Sequence, residues 1–307
     1  MLKKIIFTTI SVLLGLVFIL SGLTKLYPIE LFELTFIDLG VANWYTAPVI
    51  SRLMISFEFF LGILLILNFS LRRFTLKATI AMLVVFTVYL IVQLIIEGNK
   101  GNCKCFGNVL MMSPLEAIIK NIVMLAVAIV LYIWHKGFTF PFKKIIAIVV
   151  TLVSLTLPFI LNPPDFIVAY QSQKEIVGYK LKLDTLYNST DLKKPPLELR
   201  QEKHIIAFMS LTCKHCRIAA YKLHLIKKES PNISIFFVLN GDTKDIAPFF
   251  DDTKATNIPY MILLGRRFVD LAGYNMPSIL FINNSIVEEK TDYINLNYDK
   301  ITNWIKK

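Results

Sequence analysis

Five apolar runs crowd the first 161 residues of this 307-residue chain, and they leave few ways to fold it. They cover Ile5–Leu20, Pro48–Phe69, Ala78–Ile96, about Leu115–Trp134 and Ile145–Leu161. As helices rising ~1.5 Å per residue, runs of this kind can cross a hydrocarbon core of ~30 Å. Hydrophobic residues make up 55% of the chain, too many for an ordinary soluble protein of this length. The first run, preceded by Lys3 and Lys4, could in isolation be a cleaved signal peptide. Ser21-Gly22-Leu23-Thr24-Lys25 is a poor cleavage site, and more spans follow, so a retained first membrane helix is expected.

The formal charge of +11 raises nucleic acid as a partner, but its distribution argues against one. Residues 1–164 carry 13 Lys+Arg against 6 Asp+Glu, whereas residues 165–307 carry 20 against 16. The excess lies in connections between the apolar runs. Three of these segments hold no acid: the N-terminus with Lys3 and Lys4, the stretch with Arg72, Arg73 and Lys77, and the stretch with Lys136, Lys143 and Lys144. By the positive-inside rule these face the cytoplasm. Five spans then place the C-terminal part outside, together with the connection that bears Cys103 and Cys105. The expected location is a bacterial plasma membrane, with the lipid bilayer as the first partner.

Asn162-Pro163-Pro164 ends the fifth helix, since consecutive prolines cannot continue it. Beyond it the pattern changes to alternating strands and helices. Lys174–Asn188 reads as strand-like and Lys193–Leu199 as a linker. Strands are expected at His204–Met209 and Ile233–Leu239, with helices at Arg217–Lys228, near Lys244–Phe250 and at Tyr298–Ile305. Ile258–Leu264 fits strand or helix. Ser278–Lys290 reads as a hairpin turning at Asn283-Asn284. The expected domains are a four-helix membrane bundle over 1–135, a fifth helix and tether over 136–164, and an α/β domain over 165–307.

All four cysteines fall in close pairs, Cys103/Cys105 and Cys213/Cys216, and none is left for a structural framework. Cys213-Lys214-His215-Cys216 sits at a strand-to-helix junction. There the unpaired amides and the macrodipole of a helix N-terminus stabilise a thiolate. Cys213 is expected to attack and Cys216 to resolve, with Lys214 and His215 adding positive charge or a hydrogen-bond donor. Half of a zinc site is the competing reading. It needs two more ligands, and His204 and His224 lack the usual spacing. No metal is therefore expected. About sixty residues on, Tyr274-Asn275-Met276-Pro277-Ser278 precedes a β-run. This Met-Pro step resembles the cis-proline loop of the thioredoxin fold, over roughly the last 140 residues. The resemblance implies that Pro277 faces the dithiol and that Met276 helps shape a substrate groove. Cys-x-His-Cys resembles the oxidising DsbA-type motif, while Thr212 stands where thioredoxins carry Trp.

Cys103-Lys104-Cys105 lies in a stretch rich in turn formers, from Gly98 to Asn108. Cysteines two apart can pair only if the backbone bends, and Gly101 and Gly107 permit that. Such a ring would be easily reduced, which suits electron exchange. Free thiols or a metal-binding turn are the plainer readings. Three features together resemble the MauE/DoxX group of membrane proteins: Ser21-Gly22-x-x-Lys25, Arg52 through Glu58 to Leu61-Gly62, and Cys103-x-Cys105-Phe106-Gly107. The resemblance covers roughly the first 135 residues, and implies a four-helix bundle associated with disulfide formation. In layout the chain resembles bacterial vitamin K epoxide reductase fusions, which join a quinone-reducing bundle to a thioredoxin domain.

Glu58, about ten residues into the second span, is costly in lipid and a functional candidate. It is expected to carry protons as a quinone is reduced, to form a structural pair with Lys25 or Arg52, or to stand as a protonated acid bonded to Gln93. Lys25 itself reads as a snorkelling anchor. The function expected is a membrane thiol–disulfide oxidoreductase. Electrons would pass from thiols of extracytoplasmic client proteins to Cys213/Cys216, then to Cys103/Cys105, then to an acceptor such as quinone. Reductant delivery in the opposite direction uses the same residues. A non-catalytic client-binding or assembly factor, and a transporter bundle gated by the soluble domain, are the rivals from other classes.

Overall fold

A computed structural model of the chain describes residues 1–99, 112–138, 141–164, 177–187 and 194–307. They divide into two compact units, Met1–Val168 and Ala169–Lys307.

The first unit is helical. Its elements are α1 (Leu2–Leu26), α2 (Glu30–Asp38), α3 (Ala47–Ile66), α4 (Leu76–Glu97, entered through a π-turn at Leu71–Thr75), α5 (Pro114–Trp134) and α6 (Lys143–Leu161). Among the described residues, five helices are long and apolar enough to cross a membrane: α1, α3, α4 with its π-turn, α5 and α6. Large apolar side chains such as Val85, Ile95, Ile122, Ile148 and Ile160 stand exposed on them. In lipid that outward face costs nothing, so the protein is a membrane protein. The starts of the helices follow local chemistry. Pro48 sits in the first turn of α3, where its missing N–H would have no partner anyway. Ser113 opens α5 with a capping box: its backbone N–H donates to Glu116 at 2.8 Å, and its hydroxyl accepts from the Glu116 amide.

α1 and α3 lie antiparallel and in close contact. A Cβ at Gly15 would stand 2.6 Å from the Gly62 carbonyl oxygen, and one at Gly22 would stand 2.8 Å from the Phe59 ring. Small residues let helix backbones approach where lipid supplies no hydrophobic drive. The Ser11 hydroxyl donates to the Leu65 carbonyl at 2.9 Å on the same seam. The fifth spanning helix does more than tether. Val150 of α6 packs with Leu64 and Phe69, and Arg52 Nε donates to the Asn162 carbonyl at 2.7 Å.

One element of this unit was not foreseen. α2 occupies a stretch read as a connection, with Leu31, Phe32 and Leu34 buried and Glu30 and Glu33 in its first turn. Acids there suit the positive end of the helix dipole. Nine residues are too few to cross a bilayer, so the hydropathy pattern passes over it.

The second unit is a five-stranded sheet with helices. One helical turn, α7 (Asp184–Tyr187), precedes it. Then come β1 (Lys203–Ser210), α8 (Lys214–Glu229), β2 (Ile235–Asn240), α9 (Ile246–Thr253), β3 (Tyr260–Ile262), α10 (Arg266–Ala272), β4 (Ser278–Asn283), β5 (Ile286–Thr291) and α11 (Tyr298–Lys306). The strand order is β3-β2-β1-β4-β5. β1 runs parallel to β2 and antiparallel to β4, so the strand leading into Cys213 is central. Its middle six residues are all buried, as for a strand covered on both faces. A parallel β-α-β start, a closing antiparallel hairpin and a cis Met276-Pro277 bond ahead of β4 make this a thioredoxin-like domain.

The ambiguous run Ile258–Leu264 contains strand β3. The hairpin turns at Asn284-Ser285, both with positive φ, one residue past the expected place. Lys174–Asn188 is corrected where it is described. Gly178, Tyr179 and Leu181 exchange backbone hydrogen bonds with Val287 and Ser285 around one bridge, Lys180 with Ile286, so its start is strand-like, and then it closes into α7. The Leu183 amide bonds back to the Leu181 carbonyl at 2.8 Å, so it is not available to a neighbouring strand. The alternation of Leu181 and Leu183 nevertheless serves the core, where both are buried.

Candidate active site

β1 ends at Ser210, and a short turn carries the chain to Cys213, which caps α8 with extended backbone (φ −78°, ψ 122°). An N-cap side chain accepts from the amide three residues on, and here the acceptor is sulfur. The Cys216 amide donates to Cys213 Sγ at 3.3 Å. Cys213 is half-buried and Cys216 is fully buried, with both thiols free. The Ser210 amide donates to Cys216 Sγ at 3.4 Å.

This geometry splits the two thiols. Cys213 is held down to about 6 from its ordinary 9.0. The Cys216 thiol contributes most, followed by the amides of Cys216 and His215 and the charge of His215, against an opposing cost of burial. Cys216 is pushed far up by its interaction with Cys213 and then by burial. One sulfur is thereby a thiolate near neutrality while the other keeps its proton, as attack and resolution require. Lys214 begins the helix beside them but does not figure among the causes of the shift.

Four neighbours escaped the sequence pattern. His215 stacks on Tyr293, ring centroids 4.5 Å apart and 11° from parallel. Arg217 NH1 pairs with Asp252 of α9, and NH2 donates to the Leu211 carbonyl at 3.1 Å, tying down the turn before Cys213. Gly241, at φ +148°, lets β2 exit beside Leu211, because a Cβ there would lie 3.0 Å from the Leu211 Cβ. Arg217 adjoins the motif and could have been suspected. Tyr293 and Asp252 are brought in by the fold, from beyond any local spacing.

Pro277 precedes β4, and the register pairs Ser278 with Phe208. The Met276-Pro277 bond therefore lies at the same end of the two central strands as the dithiol. Met276 packs against the domain core. The histidines of the zinc reading are engaged elsewhere: His204 Nδ1 with Ser234 at 2.6 Å, His224 Nδ1 with Asn257 at 2.8 Å. Cys103 and Cys105 lie outside the described residues.

In the membrane unit, Lys25 and Glu58 meet. Lys25 Nζ donates to Glu58 Oε1 at 2.6 Å and to the Ser21 hydroxyl at 2.6 Å. Only 3% of Lys25 is exposed, so it does not snorkel, contrary to expectation. The reason is the close α1–α3 crossing, which puts the last turn of α1 against Glu58. Arg52 is taken by Glu33 of α2 at 2.6 Å, which leaves Lys25 as the ion-pair partner of Glu58.

Residues 3–134 match the family model described as methylamine utilisation protein MauE. The chain is 28% identical to Protein TlpB of Flavobacterium psychrophilum, covering 90% of this chain and 88% of that one. Among solved structures, a secreted Mycobacterium tuberculosis disulfide oxidoreductase homologous to E. coli DsbE aligns at 16% identity and TM-score 0.27, over 34% of this chain and 81% of that one. The thioredoxin domain of a thiol-disulfide oxidoreductase from Bacteroides vulgatus aligns at 14% identity and TM-score 0.28, over 42% and 92%. Residues 3–134 thus match the MauE family model, and the chain is similar to Protein TlpB over nine-tenths of its length.

Proposed function

We propose that the protein is a membrane-bound thiol–disulfide oxidoreductase acting on protein thiols. The observation that carries this reading is geometric: Cys213, half-buried at the N-cap of α8, has its sulfur held by the Cys216 amide, and Cys216 lies buried one turn on. With the pair oxidised, a client thiolate attacks Cys213 Sγ, breaks the Cys213–Cys216 bond and forms a mixed disulfide. A second client thiolate then displaces Cys213. The client leaves as a disulfide, and the motif holds the two electrons and two protons. Reversal of each step delivers reductant instead.

The reduced motif passes its electrons to Cys103/Cys105 and from there to a lipid-soluble quinone. The N-terminus is cytoplasmic, and both cysteine pairs face the oxidising side of a bacterial plasma membrane. Acid-free basic connections at residues 3–4, 72–77 and 136–144 support that orientation.

The test is turnover of a model peptide bearing two cysteines by the full-length protein in lipid nanodiscs. Oxidised protein should convert the reduced peptide, and Cys213→Ser and Cys216→Ser should each abolish conversion. A protein that binds the peptide without changing its redox state would be a client-binding factor instead.

A further inference from the structure

The membrane unit holds a half-open cavity of about 290 Å³ bounded by α1, α2, α3, α4 and α5. That lies near the lower limit of small-molecule pockets, roughly 300 Å³. Its wall is almost wholly apolar, with the rings of Phe18, Phe36 and Phe86 prominent, and it includes the Lys25–Glu58 pair. α2, which belongs to none of the spans, supplies one side.

The polar inventory of the cavity is lopsided. Glu58 is 1% exposed, and its Oε1 takes the Lys25 ammonium. Its Oε2 is buried with no hydrogen-bond partner among the described residues. An acceptor left bare inside a membrane is expensive, so a donor belongs there. Lys25 has three N–H groups, of which Glu58 and Ser21 take two. Lys120, Asn121 and Tyr89 line the cavity too, yet an anionic headgroup brings no donor to Oε2 and is repelled by it. An acyl chain would fill the space but leave Oε2 bare. A flat, uncharged ring carrying oxygens that accept in one redox state and donate in the other meets every requirement.

We propose that this cavity binds the ring of a lipid-soluble quinone, with Lys25 and Glu58 as its polar contacts; the inference rests on the oxidoreductase reading above. When bound, a quinone takes up two electrons and two protons, the number that a dithiol releases in closing its disulfide. Lys25 is placed to donate to a ring carbonyl. Glu58 Oε2 is placed to accept from a ring hydroxyl, and so to hold the reduced form.

Binding of menadione and of its quinol to the full-length protein in nanodiscs tests the proposal, read by equilibrium dialysis against empty nanodiscs. Saturable binding at one site per chain is expected. Glu58→Gln removes the free acceptor and should weaken the quinol about tenfold, as for one lost hydrogen bond to a charged group. Met124→Trp fills the cavity without touching the ion pair and should abolish binding while the protein keeps its helical circular dichroism. Partition no greater than into empty nanodiscs, or saturable binding unchanged in both variants, overturns the proposal. The peptide assay judges the wider reading separately. Lost binding with intact peptide turnover removes the cavity assignment alone, and retained binding with no turnover removes the oxidoreductase.

Discussion

Replacing Cys216 by alanine removes the largest influence holding Cys213 low and leaves the amides of Cys216 and His215 in place. With a midpoint of about 6, wild-type Cys213 at pH 7 has about ten thiolates for each thiol. In Cys216→Ala the midpoint should rise by roughly one to two pH units, stopping short of the ordinary value because the amides still donate. The reaction rate at pH 7 is a poor guide to this. A rise of about two pH units cuts the thiolate fraction roughly tenfold. The more basic thiolate is then roughly six to ten times more nucleophilic, for a Brønsted slope of ~0.4–0.5. The two changes nearly cancel. The full profile separates them: the variant should be slower at pH 5 and faster at pH 9, with the curves crossing near neutrality. Iodoacetamide labelling from pH 4 to 10 under reducing conditions gives both curves, with the Cys213 peptide quantified by mass spectrometry. His215→Val should move the midpoint less, because the charge of His215 is the last of the lowering influences. A wild-type midpoint near 9, or a variant midpoint that stays near 6, would refute the account of how this thiolate is made.

In the membrane unit, Lys25→Met strands Glu58 in the bundle and should cost ~3–5 kcal/mol, whereas Lys25→Met with Glu58→Gln should recover most of it; thermal unfolding in detergent compares them, and additive losses would mean the pair is not coupled. Arg217→Ala frees the Leu211 turn and leaves Asp252 alone, at a cost of ~1–3 kcal/mol to the transition of the C-terminal domain; an unchanged transition argues that the contact is incidental. Cys216→Ser combined with loss of either Cys103 or Cys105 should trap Cys213 linked to the remaining cysteine of that segment, detected in a non-reduced digest. If neither combination links while Cys213 still reacts with a small disulfide, the two-stage relay is wrong. A membrane-impermeant thiol reagent added to intact cells should label Cys213, and protection until permeabilisation would reverse the orientation.

What the sequence determined by itself is local. Apolar runs of membrane length announce their helices because lipid leaves the backbone no other partner. Asn162-Pro163-Pro164 ends one of them because two consecutive prolines leave no amides to continue the ladder, although the single Pro158 is carried inside it. Cys213 at a strand-to-helix junction foretells its own activation, since the helix amides that hold it belong to the next three residues. The tertiary structure decided everything that joins distant residues. The main influence on Cys213 is the Cys216 thiol, set by one turn of helix and by burial under the sheet. Tyr293 and Asp252 reach the motif from beyond the next strands. α2 was invisible because its nine residues are too few to span a bilayer and carry too little periodicity to stand out. Lys25 read both as an anchor at a membrane surface and as one possible partner of Glu58, and only the fold chose between the two. It became half of a buried pair because Gly15, Gly22 and Gly62 let α1 and α3 approach, and a contact between residues 33 apart exists only where two helices cross.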